Sequence, residues 1–302
     1  MSDSIAVFDR GLVRRHRQRA SGRFARHDFL KREVSLRLLE RLDDTTRRFA
    51  TVLDLGCHDG TLGRMLAGRD GLDRLVSVDL AHGFARQASG LRVVGDEETL
   101  PFADGSFDLV LSALSLHWVN DLPGALIQIN RALKPDGLFL AAMLGGGSLE
   151  ELRQALLTAE LQVEGGGSPR VSPFADVPDA GRLLQRAGFA LPVVDVDRID
   201  VSYPDAIALM RELRGMGEAN AVAARRRQPL KRAMLAATLR HYAERHAGID
   251  GRLPATFQVL YLTAWAPHAD QPKPLRPGSG RQRLATALGA VERPAGEKAG
   301  RP

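Results

Sequence analysis

Thr51-Val52-Leu53-Asp54-Leu55-Gly56-Cys57-His58-Asp59-Gly60 decides the fold. An apolar run that closes on an acid and two glycines reads as a buried strand turning tightly into a helix over 62–67. Four more strands follow. Arg74–Asp79 ends in an acid, and Leu91–Val94 leads to Gly95-Asp96-Glu97. Phe107–Ser112 is the fourth strand and Gly137–Met143 the fifth. A helix over 122–133 lies between those two, stopped by Lys134-Pro135-Asp136-Gly137. Regular alternation of strand and helix predicts a parallel sheet covered on both faces, an α/β fold. The strands are continuously apolar rather than alternating, as doubly buried strands are.

Upstream, residues 5–42 read as helical, with Leu30, Val34, Leu38 and Leu42 at one-turn spacing. Downstream, a helix over 149–163 breaks at Gly165-Gly166-Gly167-Ser168-Pro169, and a helix over 179–187 stops at Gly188. Residues 191–203 read as a strand in which Val194 and Val196 share one phase and Ile199, Val201 and Tyr203 the other. That change predicts a bulge near Asp197. Residues 204–247 form a helical insert interrupted near Gly215 and Gly217, and 255–265 is the last strand. Three regions result: an N-terminal helical lid over 1–45, the α/β domain over 46–266, and a tail over 267–302. Proline, glycine and basic residues dominate the tail, which is expected to be disordered.

The 302 residues are 44% hydrophobic, enough to build a packed core. The single cysteine, Cys57, excludes a disulfide within the chain and a cysteine metal cage. No apolar run reaches the roughly 18 residues of a membrane helix. No leader-like segment opens the sequence, so a cytoplasmic protein is expected, touching the inner face of the cytoplasmic membrane at most peripherally. The net charge of +6 is concentrated in basic residues from Arg10 to Arg41, among them Arg17, Lys31 and Arg37. Without a recognition helix or interleaved aromatics, this reads as a solvated helix face and not a nucleic-acid surface.

The loops after the first three strands carry the chemistry. Glycine lets a ligand approach the main chain, and Gly56 and Gly60 are placed for that. Asp79, about 20 residues beyond the glycine turn, sits where a carboxylate accepts both ribose hydroxyls. Asp96 and Glu97 are placed to meet the exocyclic amine of adenine. Three acid-bearing loops suit a nucleoside better than a pyrophosphate, and His58 stands where a dinucleotide fingerprint would carry glycine. The candidate cofactor residues are Asp54, Gly56, Cys57, Gly60, Asp79, Leu80, Asp96, Glu97 and Ser112. Cys57 reads first as a small buried residue and second as a reactive thiol. His117 and Trp118 follow the fourth strand. They are either an orienting base and a pocket wall, or a pair packed beneath the lid. Asp9 belongs either to the lid's active face or to a helix cap. His241 and His246 are five apart and do not share a helix face, so no metal site is expected.

Together these motifs resemble those of class I S-adenosylmethionine-dependent methyltransferases: Asp54-Leu55-Gly56-Cys57-x-x-Gly60, Asp79, Asp96-Glu97-Glu98-x-Leu100-Pro101-Phe102, Phe107-Asp108-Leu109-Val110 and Leu133-Lys134-Pro135-Asp136-Gly137. Over about 5–265 the chain resembles more closely the methyltransferase-like arginine hydroxylases that assist assembly of respiratory complex I. Carrying that resemblance are Ile5-Ala6-Val7-Phe8-Asp9-Arg10, Ser115-Leu116-His117-Trp118-Val119-Asn120-Asp121-Leu122-Pro123, Gly166-Gly167-Ser168-Pro169-x-Val171-Ser172-Pro173-Phe174, Gly215-Met216-Gly217-Glu218 and Pro254-Ala255-Thr256-Phe257-Gln258. Malonyl carrier-protein methyltransferases share Leu116-His117-Trp118. The resemblance implies a Rossmann-like, seven-stranded, mostly parallel sheet. It implies S-adenosylmethionine with its methionine end at Asp54, Gly56 and Gly60, its ribose at Asp79 and its adenine at Asp96 and Glu97. It also implies an arginine on a complex I peripheral-arm subunit as substrate. Methyl transfer to a small or carrier-bound acid, and a non-catalytic assembly chaperone, are the alternatives.

Overall fold

A computed structural model describes residues 6–272, 279 and 284–291; Ile5 of the N-terminal motif lies outside them. Seven strands form one sheet. They are β1 (Thr51–Leu55), β2 (Arg74–Asp79), β3 (Leu91–Val94), β4 (Phe107–Ala113), β5 (Leu133–Leu144), β6 (Ala190–Tyr203) and β7 (Leu253–Trp265). Their order is β3-β2-β1-β4-β5-β7-β6, with β1 to β5 parallel and β7 antiparallel to both of its neighbours. This is the expected seven-stranded, mostly parallel architecture.

The central strands β1, β4 and β5 are buried on both faces, which explains their unbroken apolar runs. Leu109 and Leu111 of β4 pack on the face covered by α2 (Phe29–Asp43), through Leu30, Val34 and Leu38. Val110 packs on the other face with Leu126 and Ile129 of α5 (Leu122–Ala132). The glycine turn after β1 enters α3 (Thr61–Leu66).

The N-terminal segment departs from the single helix expected. It forms α1 (Arg10–Ala20), a 3-10 turn at Phe24–Arg26, and then α2. Gly22 weakens the helix at the break. The break buries Phe24 edge-on against Phe84, with ring centres 5.0 Å apart. A second departure is at β5, which begins at Leu133, the last residue read as helix, and runs through the stretch read as a turn. Leu133 already pairs with Phe107, and a register shift between Phe107 and Leu109 accommodates Pro135 and Asp136, whose φ is 62°.

The bulge expected near Asp197 is absent. The β6–β7 register runs unbroken from Val193 to Tyr203, and the irregularity lies between Ala190 and Val193. Asp195 and Asp197 share the face of Ile199, Val201 and Tyr203, where Arg41 and Arg37 of α2 bind them. The apolar phase changed because ion pairs replaced two apolar contacts, not because the backbone kinked.

Two helices follow β5: α6 (Glu150–Glu164) and α7 (Val177–Arg186). Between β6 and β7, the insert holds α8 (Ala206–Met216) and α9 (Arg232–His246). The helix runs through Gly215 and ends at Gly217, whose φ is 86°. Within the tail, Leu284–Leu288 forms a short helix, where disorder is expected from the sequence; its leucines and alanines are strong helix formers. The other tail positions fall largely outside the described residues.

Candidate active site

The site is built at the carboxyl ends of β1, β2 and β4, where the loops converge. Gly56 has φ of 70°, and a Cβ there would lie 2.1 Å from Ser115 Oγ. Only glycine lets this turn pass so close to the loop after β4. His58, at φ 51°, aims its backbone N–H at Asp79 Oδ2, 3.0 Å away. Its ring packs between Phe24 and Phe84, with Nδ1 2.9 Å from the Gly56 carbonyl and 3.3 Å from Lys31 Nζ. Burial first, then the Lys31 and Arg17 charges, hold that imidazole well below its ordinary pKa, so it is neutral.

The carboxylates gather around one guanidinium. Arg17, 1% exposed, donates to Glu97 Oε1 at 2.8 Å and to Ser115 Oγ at 2.8 Å, and stands 3.6 Å from Asp79 Oδ2. Ser115 also donates to Glu97, and Arg10 binds both Asp96 and Glu97. Burial pushes Glu97 upward, but Arg17 and Arg10 outweigh it and draw its pKa down to about 2. Burial raises Asp79, whose Oδ1 accepts the Ala81 N–H at 2.8 Å.

A second cation serves the other end of the cleft. Lys31, fully buried on α2, donates to the Ala113 carbonyl at 2.6 Å and the Gly56 carbonyl at 3.2 Å. Desolvation lowers its pKa. Below it, Asp54 is fully buried, and neither carboxylate oxygen has a hydrogen-bond partner. Desolvation pushes its pKa up to about 6.

The structure thus brings Asp54, Gly56, Asp79, Asp96 and Glu97 to one cleft. Gly60 serves packing: a Cβ there would meet Ala88 Cα at 2.6 Å. Cys57 is a buried thiol with its pKa raised by desolvation, as a packing residue would be. Ser112 Oγ is buried without a partner. Leu80 packs under the lid with Phe8, Val13 and Trp118. Asp9 caps α1, accepting the Leu12 N–H at 2.9 Å and pairing with Arg225, while its neighbour Arg10 enters the cleft.

His117 and Trp118 are tied together by a residue the sequence did not single out. Glu218 Oε2 accepts Trp118 Nε1–H at 2.9 Å and lies 3.0 Å from His117 Nε2. That contact assigns the proton to Nε2 and leaves the buried Nδ1 without a partner. Trp118 is 1% exposed and meets Phe8 of the N-terminal segment edge-on at 5.3 Å, while His117 meets Phe174 edge-on at 5.6 Å. Arg17, Lys31, Ser115 and Glu218 are therefore the site residues that sequence reasoning missed. For Arg17 a signal existed: it falls in helical phase with Val13 and Ala20, the buried face of α1. No described helix is long and apolar enough to cross a membrane.

A methyltransferase-domain family model matches residues 53–141. The arginine-hydroxylase NDUFAF5, mitochondrial, of Danio rerio is 44% identical over 280 residues, covering 90% of this chain and 87% of that protein. Its Homo sapiens counterpart is 43% identical, over 91% and 81%. A malonyl-[acyl-carrier protein] O-methyltransferase of Methylovorus is 36% identical, over 89% and 93%. Among solved structures, BH2331 of Bacillus halodurans superposes with a TM-score of 0.54 over 78% of this chain and 99% of its own, at 15% identity; it shows the fold alone. The identity to the hydroxylases spans the lid, the sheet and the insert, and the chain belongs to the NDUFAF5 arginine-hydroxylase family, built on the methyltransferase fold.

Proposed function

We propose that this enzyme binds S-adenosylmethionine in the cleft of β1, β2 and β4 and hydroxylates an arginine on a peripheral-arm subunit of complex I. The observation that carries the reading is the identity to arginine hydroxylases across nine-tenths of the chain. The chemistry of the cleft supports the cofactor. Two carbonyls at one end suit an ammonium; the carboxylates at the other suit ribose hydroxyls and an adenine amine. Gly56 and Ala113 would hold the methionine end, Asp79 the ribose, Asp96 and Glu97 the adenine. Arg10, Arg17 and Lys31 now occupy those acceptors, so all three must withdraw for the cofactor to enter.

When bound, S-adenosylmethionine supplies a sulfonium centre and an activated methyl group. The chain's own residues orient and exclude water. Phe8 is clamped to Asn120 by two hydrogen bonds, 2.7 and 3.2 Å, which pins the lid over Trp118. His117 keeps Nδ1 buried and without a hydrogen-bond partner inside that dry layer, where a polar group of a bound substrate can meet it.

A second reading is methyl transfer to a carrier-bound acid. It is favoured by the malonyl carrier-protein relative and by Arg170, Arg214, Arg225 and Arg226 around an apolar cavity. Incubating the full chain and cofactor with the organism's complex I subunits, then weighing arginine-bearing peptides, separates the two. One added oxygen supports hydroxylation. A methyl gain, or demethylated cofactor released with acyl substrates and no oxidised peptide, replaces it.

A further inference from the structure

We propose that Glu218 is the seat for the guanidinium of the substrate arginine, at the inner end of a cavity that sheathes the substrate side chain. The inference rests on the arginine-modifying reading above. The cavity, of about 310 Å³, lies between α6 and α8 and is walled by Leu152, Leu156, Phe174, Met210 and Leu213. Apolar walls suit the three methylenes of arginine, and the volume suits the whole side chain. Glu218 is the one carboxylate on that wall. It also lines the smaller cavity formed by Lys31, His58 and Leu114, beside the methionine end of the cleft. It therefore stands between the way in and the reacting centre.

The backbone fixes it there. α8 ends with Gly217 in the left-handed region and the Glu218 N–H bonded back to the Leu213 carbonyl at 2.8 Å, a helix-ending motif that sets the direction of the next side chain. Its side chain is 9% exposed. Both hydrogen bonds, from Trp118 and His117, land on Oε2 and leave Oε1 for a ligand. A carboxylate pinned through one oxygen needs little reorganisation to accept a guanidinium with the other.

The cavity's arginines do not repel such a guest as a bare count suggests. Arg170 pairs with Glu160, Arg225 with Asp9 and Arg226 with Glu164, while Arg214 is exposed to solvent. At the inner end Glu218 is met by the Trp118 and His117 donors, with the Arg17 charge acting on it at longer range.

The test uses the full chain, with acetyl-Gly-Arg-Gly-amide and its citrulline counterpart, which has the same shape without the charge. Calorimetry is expected to show the arginine peptide binding at least about tenfold tighter to the wild type, as a charge-assisted pair in a dry cavity gives. Glu218→Gln, which can still accept from Trp118, should keep the circular dichroism spectrum and abolish the preference. The inference is overturned by equal binding of the two peptides to the wild type, or binding of neither at millimolar concentration. A preference that survives in the variant, or a cavity that takes octanoyl-pantetheine instead, overturns it too. The hydroxylation assay run alongside keeps the two readings apart. Oxygen gained without any arginine preference refutes the seat alone; arginine preference without oxygen gain refutes the hydroxylase reading and leaves the seat standing.

Discussion

The N-terminal helices send arginines onto acids in two places, and the two behave differently. At the β6 edge, Arg37 and Arg41 meet Asp197 and Asp195 with side chains 24 to 47% exposed. In the cleft, Arg17 meets Glu97 with both side chains 1% exposed. Each is an arginine on a carboxylate; what differs most is the water. Exposed pairs are screened and contribute little to stability. Buried pairs make each partner depend on the other, because a lone charge in the interior is expensive. The edge is a fastening. The cleft is a set of acceptors held by the chain's own cations, with Glu97 kept ionised by Arg17 and Arg10.

Removing Arg17 tests that contrast hardest. Arg17→Ala leaves Glu97 with Arg10 alone and takes the buried cation away from Asp79. A loss of about 3–5 kcal/mol in urea unfolding is expected. Adding S-adenosylmethionine should recover more stability in the variant than in the wild type, because one guanidinium fewer has to be displaced, Arg10 being the one that remains. A loss below about 1 kcal/mol would put the cleft in the same class as the edge.

Glu97 should also give the cleft a pH signature. Its pKa falls from 4.5 unfolded to about 2 folded. A depressed carboxyl contributes stability that is present above pH 4.5 and lost as pH falls toward 2, roughly 3 kcal/mol at most. Glu97→Gln should therefore flatten the acid limb of the stability curve between those values. An unchanged acid limb would mean that the arginines do not hold this carboxylate.

Asp54 has the opposite sign. Its folded pKa, about 6, lies above the unfolded 3.8. Folding then favours the protonated form, and a penalty grows as pH rises through that window. Asp54→Asn should leave stability unchanged near pH 3 and raise it by about 1–3 kcal/mol at pH 7. Cofactor affinity should fall, since the acid that offsets Lys31 under the glycine turn is gone. Stability gained with binding lost would mark Asp54 as kept for function.

How much of this was readable in advance follows the same division. β1 to β5 were legible because apolar runs closed by Gly56 or Gly95, or opened by Gly137, have few other readings. Asp54, Asp79, Asp96 and Glu97 were legible because they fall at strand ends. The break at Gly22 was not, since its cause is the burial of Phe24 against a residue sixty positions away. Asp195 and Asp197 misled because a charged residue on an inward face looks like a change of phase until its arginine is known. Glu218 lies a hundred residues from His117 and Trp118, and only the packing of the insert joins them. Arg17 shows the converse: its phase was visible, but composition suggested a solvated face.

The smallest effect should come from the edge, and it can still discriminate. Arg37→Ala removes exposed contacts to Asp197 and Glu33, and a loss of under about 1 kcal/mol is expected. Arg41→Ala removes the Asp195 pair and also a guanidinium stacked 3.6 Å over the Tyr261 ring. That stacking adds roughly 0.5–1 kcal/mol and is less sensitive to salt than an exposed ion pair. Thermal melts at low and high salt should rank Arg41 above Arg37 in both. The gap should widen as salt rises, because the Arg37 contribution fades while the ring contact stays. If high salt erases both effects equally, charge alone fastens α2 to β6, and Tyr261 is a bystander.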